Sequence, residues 1–129
     1  MQKLENIRPE NLFCIAVMDI DKTIRFAGIL CKCGRLKAYR RKKGMIPHLS
    51  VPETKLVHRE AMLKAKMNRV FDQKLGKTNW SIESRDNVKW ITINLERDLL
   101  LLSTEHSSNH DMIIQKILHM LKLEEYKTI

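Results

Sequence analysis

Four consecutive leucines, Leu99 to Leu102, constrain the fold of this chain more than any other feature. Successive side chains of a strand point to opposite faces, so a strand with one wet face alternates apolar and polar residues. The segment "LLLLST" does not alternate. It reads as a central strand buried on both faces, and such a strand needs helices on both sides of its sheet. Three layers are therefore expected.

The remaining segments supply those layers. Residues 10 to 18, "ENLFCIAVM", are apolar and of a length that suits a short helix or a strand. Turn-type residues from Asp19 to Thr23 lead into "IRFAGIL", a strand. "KCG" makes a hairpin loop with Gly34 available for positive φ, and "RLKAYR" returns. Gly44, Pro47 and Pro52 punctuate a loop before a long helix from Pro52 to Leu75. Ser50 is its N-cap candidate, Glu53 sits in the first turn and Gly76 follows the last.

Along that helix, Leu56, Leu63, Met67, Val70 and Phe71 form one apolar stripe. Val57, Ala61, Ala65 and Asn68 form a neighbouring strip of smaller residues, which would let another helix approach closely. "NWSIES" and "VKWITINL" are strands before the leucine strand, the first with Trp80 and Ile82 on one face. Ser108 or Asn109 caps a last helix containing Ile113, Ile114, Ile117, Leu118 and Leu121, and the tail "EEYKTI" is expected to fray. The expectation is an α/β (α+β) three-layer sandwich in one domain, residues 1–129. Its order is α-β-β-α-β-β-β-α, with a five-stranded, mostly antiparallel sheet.

That element order resembles the order in roadblock/LC7 domains, relatives of profilin-like and longin-like domains, over nearly the whole chain. The words "IRFAGIL", "FDQKLGK" and "LLLLSTE" also resemble a small archaeal family of similar length, which implies a fold but no activity. The resemblance to roadblock domains implies a homodimer that pairs its long helices and joins edge strands into one continuous sheet. It further implies a non-enzymatic scaffold or regulator that binds a protein partner such as a small GTPase, a motor or a signalling assembly. Mapped by element order, "NWSIES" is the pairing edge. The interface residues are then Val57, Ala61, Ala65, Asn68, Trp80 and Ile82, with Trp80 as an aromatic anchor.

Charge adds a second candidate surface. Nine of the 24 Lys and Arg residues lie between Lys22 and Pro52 with no Asp or Glu among them, and the remaining fifteen match the 15 acidic residues of the chain. All the net positive charge thus belongs to one segment. Lys32, Arg35, Lys37, Arg40, Arg41, Lys42 and Lys43 with Tyr39 suit nucleic-acid phosphates or an acidic protein surface. The same charges also suit a solvated hairpin whose edge they keep from pairing.

"DIDKT", from Asp19 to Thr23, has the Asp-x-Asp-x-Thr form of the first motif of haloacid-dehalogenase-type phosphatases. There Asp19 would be the nucleophile and Asp21 the general acid/base, with Mg²⁺ offsetting charge. Those enzymes need parallel strands joined by crossovers of a dozen or more residues, whereas Thr23 leads directly into a hairpin. No Asp-Asp or Gly-Asp pair follows anywhere to hold the metal. A turn is the favoured reading of the motif, since Asp side chains bond nearby backbone.

His106 and His110 are spaced to share a metal on a helix, but Ser107-Ser108-Asn109 places a helix start between them. Cys14, Cys31 and Cys33 are expected as reduced thiols, because an odd count and a Cys-x-Cys spacing make a poor disulfide framework. No catalytic residue, metal site or cofactor is assigned. No apolar run approaches the ~20 residues of a bilayer span, and "MQKLENIRPENLF" lacks the order of a secretory signal. The expected location is the cytoplasm, without membrane insertion.

Overall fold

The leucine strand lies where its composition requires. In the computed structural model, which describes residues 8–129, five antiparallel strands form one sheet in the order β2-β1-β5-β4-β3. β5 (Leu99–Thr104) is central, hydrogen-bonded to β1 (Ile24–Leu30) and to β4 (Lys89–Asn94). Leu99 to Leu102 are each 3% exposed or less. β2 (Leu36–Arg41) and β3 (Trp80–Ser84) are the two edges.

Leu100 and Leu102 point to one face and pack with Ile91, Ile93, Ile113, Ile114 and Ile117. That face is covered by α1 (Pro9–Met18) and α4 (His110–Met120). Residues 10–18 are therefore helical, with Phe13, Cys14 and Val17 buried one turn apart on the inner side. Leu99 and Leu101 point to the other face and meet α2 (Val51–Asn68). The three-layer expectation holds, and every strand pairing is antiparallel.

Local signals account for the start and end of α2. Ser50 Oγ accepts from the Glu53 backbone N–H at 3.3 Å, while Glu53 Oε1 accepts from the Ser50 N–H at 2.9 Å, which completes a capping box. The helix expected to run unbroken to Leu75 ends instead at Asn68, tightens to a 3₁₀ turn at Arg69–Phe71 and resumes for one turn, α3 (Asp72–Leu75). Gly76 then adopts a φ of 81° and stops it.

Two further expectations are corrected. Cys31 and Cys33 are joined in a disulfide, because the turn closed by Gly34 N–H donating to Cys31 O brings their Cα atoms to 5.2 Å. That distance lies in the range a disulfide bridges. Cys14 alone is a free thiol among the described residues, and burial pushes it up to about 11. The tail does not fray. Tyr126, in a 3₁₀ turn at Glu124–Tyr126, meets Phe13 edge-on at 5.1 Å, and Ile129 packs against the same core. Among the described residues, no helix is long and apolar enough to cross a membrane.

Candidate interaction surfaces

The long helix turns its small residues inward. Val57 and Ala61 are half-buried and pack on Leu30, Met62, Leu99 and Leu101, and Ala65 and Asn68 continue half-buried along the same helix. The larger stripe faces outward. Leu56, Leu63, Met67, Val70, Phe71 and, beyond it, Leu75 are 56% to 80% exposed. The small strip that the resemblance placed at an interface thus packs in part on the chain's own sheet, and the larger stripe faces solvent. The sheet beneath α2 carries Phe26, Trp90, Leu99 and Leu101, and large side chains there leave room for small ones above.

At the β3 edge, Trp80 is 39% exposed. Its cross-strand partner is Ile93, and that of Ile82 is Ile91, so both point to the α1/α4 face rather than toward α2. Ile82 is half-buried against that core. Trp80 and the outward row of α2 thus lie on different layers of the molecule. The outward row is the surface that sequence reasoning missed. Its signal was present as a continuous apolar stripe, but the stripe carried no indication of which side faced the sheet.

At the opposite edge, the seven basic residues are all exposed along and beside β2. Lys37 Nζ donates to Asp98 Oδ2 at 2.9 Å, Lys42 Nζ to the Lys22 carbonyl at 2.8 Å, and Arg40 to the Tyr39 carbonyl at 3.0 Å. The Arg41 guanidinium lies 5.7 Å from the Tyr39 ring centre. These contacts spread the cations along the edge rather than drawing them into one pocket.

Asp19 and Asp21 occupy the turn between α1 and β1. Asp21 Oδ2 accepts from both the backbone N–H and the hydroxyl of Thr23, and these bonds hold its carboxyl below the usual range. That is an Asx-type turn, and the strand it feeds pairs antiparallel with both neighbours. His106 and His110 are separated as expected, for α4 begins at His110 with Asn109 capping Met112 N–H at 3.1 Å. His106 Nδ1 bonds the Arg85 carbonyl, and His110 Nδ1 accepts from Lys89.

No protein-family model and no curated protein matches the sequence. Solved structures do match. A roadblock/LC7 domain from Streptomyces avermitilis superposes with a TM-score of 0.67 at 9% identity, over 87% of this chain and 91% of that one. MglB from Myxococcus xanthus gives 0.70 at 11% identity, over 96% and 99%. The gliding protein MglB from Thermus thermophilus gives 0.70 at 10%, over 95% and 91%. The chain has the roadblock/LC7 fold. At these identities the likeness speaks for the fold alone.

Proposed function

We propose that this chain is a non-enzymatic, homodimeric roadblock-like module that binds a protein partner. One observation carries the reading. The outward row of α2 and α3 is apolar and 56% to 80% exposed, and β3 leaves one edge of the sheet unpaired. A contiguous apolar row of this kind marks an interaction surface, whereas single exposed apolar residues do not. A second copy supplies the complement to both features at once, since α2 pairs with α2 across a twofold axis while β3 continues the sheet into its partner. A related fold has been solved as MglB with a tetrameric arrangement. The roadblock resemblance points to a small GTPase as the class of protein partner.

The test is solution mass by light scattering at low and high salt. A dimer that persists at high salt supports an apolar interface, and the pair Leu63→Lys with Val70→Lys is expected to reduce it to a monomer of unchanged circular dichroism. A native chain that remains monomeric at tens of micromolar sinks the reading.

The exposed basic edge favours a second reading, in which β2 and its hairpin bind nucleic-acid phosphates. Affinity would then fall steeply with salt and vanish when Arg40 to Lys43 are neutralised. Binding that ignores salt would end that idea.

A further inference from the structure

The face of the sheet beneath α2 is not filled. A cleft of about 820 Å³ lies between the helix and the strands, within the range of small-molecule sites. The register of the sheet explains its shape. Glu83, Trp90, Ser103, Phe26 and Arg41 are paired one to the next across all five strands, so their side chains form a single transverse row facing α2. Ser103 sits low in that row between two large rings. Above it α2 presents Val57, His58 and Ala61. Trp90 and the stacked Phe26 and His58 rings line the cleft, with Ser103 on its floor.

The cleft is also lined by polar groups. Ser103 is 7% exposed and His58 9% exposed, and neither has a fully buried, unpartnered polar atom, so their polar atoms open onto the cleft they line. The Phe26 ring lies nearly parallel to His58, at 6.2 Å and 26°, and to Tyr39, at 6.1 Å and 22°. Burial and the nearby Arg41 charge hold His58 below its ordinary range, so the imidazole offers one donor and one acceptor at neutral pH.

The ends of the cleft differ in charge. At the β3 end Glu83 pairs with Arg85 at 2.7 Å, with Glu60 and Asp86 beside them. At the β1–β2 end Arg25 is paired with Glu105 and bonded to the Ile46 carbonyl. Arg41 has no ion pair among the described residues. An anion therefore fits better at the β2 end, beside Arg41, than at the β3 end, where Glu83 neutralises Arg85.

We propose that this cleft binds an aromatic monoanion, its ring over Ser103 against the Trp90 side chain, its polar edge on Ser103 and His58, and its charged group on Arg41. The lining residues belong to one chain, and the β3 end of the cleft lies at the sheet edge that the proposed dimer would pair.

The probe is 8-anilinonaphthalene-1-sulfonate, an aromatic monoanion, titrated by fluorescence and by backbone amide shifts, with N-phenyl-1-naphthylamine as the uncharged counterpart. Saturable one-to-one binding is expected, with shifts at Phe26, His58, Trp90 and Ser103. Arg41→Gln, a substitution at an exposed strand end, is expected to weaken the anion about tenfold, as loss of one charge-assisted contact does, and to leave the neutral probe unchanged. Ala61→Trp, which fills the roof, is expected to abolish both. The proposal is overturned by shifts confined to Leu63–Leu75, by no saturation, or by equal affinities for the two probes. An Arg41→Gln protein that binds the anion as tightly as the native chain overturns it as well.

Discussion

Beneath α1 and α4, Leu100 and Leu102 meet Ile91, Ile93, Ile113, Ile114 and Ile117, every one of them fully buried. Beneath α2, Leu99 and Leu101 meet Met62, with Val57 and Ala61 half-buried alongside and a cleft of about 820 Å³ next to them. The same strand supplies both sets of leucines. The difference lies in the covering helices: α4 offers three branched aliphatic side chains within five residues, while α2 offers Val, His, Ala and Met. A strand buried on both faces thus guarantees two apolar environments but not two equally packed ones. In this molecule one face is organised for stability and the other has room for something else.

The contrast is sharpest for truncation. Leu102→Ala is expected to cost about 4 kcal/mol in urea denaturation, because it opens a closed cavity among rigid neighbours. Met62→Ala is expected to cost about 2 kcal/mol, the low end for such a change, since the lost side chain borders space already open. Equal losses at the two sites would break the comparison.

Enlargement tests it from the other direction. Ala27 is fully buried on the α1/α4 face, and Ala27→Val is expected to cost about 2 kcal/mol by overpacking. Gly28 points to the cleft face, where a Cβ would lie 2.7 Å from Phe26 Cζ and 2.8 Å from Leu36 Cδ1. The Phe26 ring and the Leu36 methyl, both side-chain ends, must each shift, and replacing glycine in a strand recovers backbone entropy. Gly28→Ala is therefore expected within about 1 kcal/mol of the native chain. A loss above that of Ala27→Val would mean that the Phe26 ring is locked.

The smallest expected effect is on pH dependence. His58 has a folded-state pKa below its ordinary 6.5, so between those values the unfolded chain binds the extra proton. The corresponding stability is present above pH 6.5 and is lost as pH falls through the folded value. His58→Gln is expected to flatten the decline of the urea midpoint between pH 7 and that value. Asp21 and Glu53, also held below their ordinary 3.8 and 4.5, act only in more acidic solution. A decline unchanged by His58→Gln would place its origin elsewhere.

Much of the fold was legible where a signal is local. The capping box at Ser50 and Glu53, the positive φ of Gly34 and Gly76, and the helix start beside Asn109 each depend on a few neighbouring residues. The Asp21 turn was legible for the same reason, and it removes the phosphatase reading by its bonds to Thr23 and the antiparallel strand that follows. The tail was not legible. "EEYKTI" is polar by composition, and only the proximity of Phe13, more than a hundred residues earlier, gives Tyr126 something to pack against. The disulfide was missed because the Cys-x-Cys spacing does not show the turn that brings the two Cα atoms to 5.2 Å.

The sequence by itself determined that β5 is central, that helices cover both its faces, and in what order the elements come, since alternation and helical spacing are properties of one segment at a time. Only the tertiary structure decided which side of α2 is inside. Periodicity gives the angle between two stripes on a helix but not what either will meet, and here the bulk of Phe26, Trp90 and Leu101 admitted the smaller stripe and left the larger one in solvent. The transverse row from Glu83 to Arg41 has the same origin. Its members come from five separate strands, and no one of them is aligned with the next until the pairing registers are set.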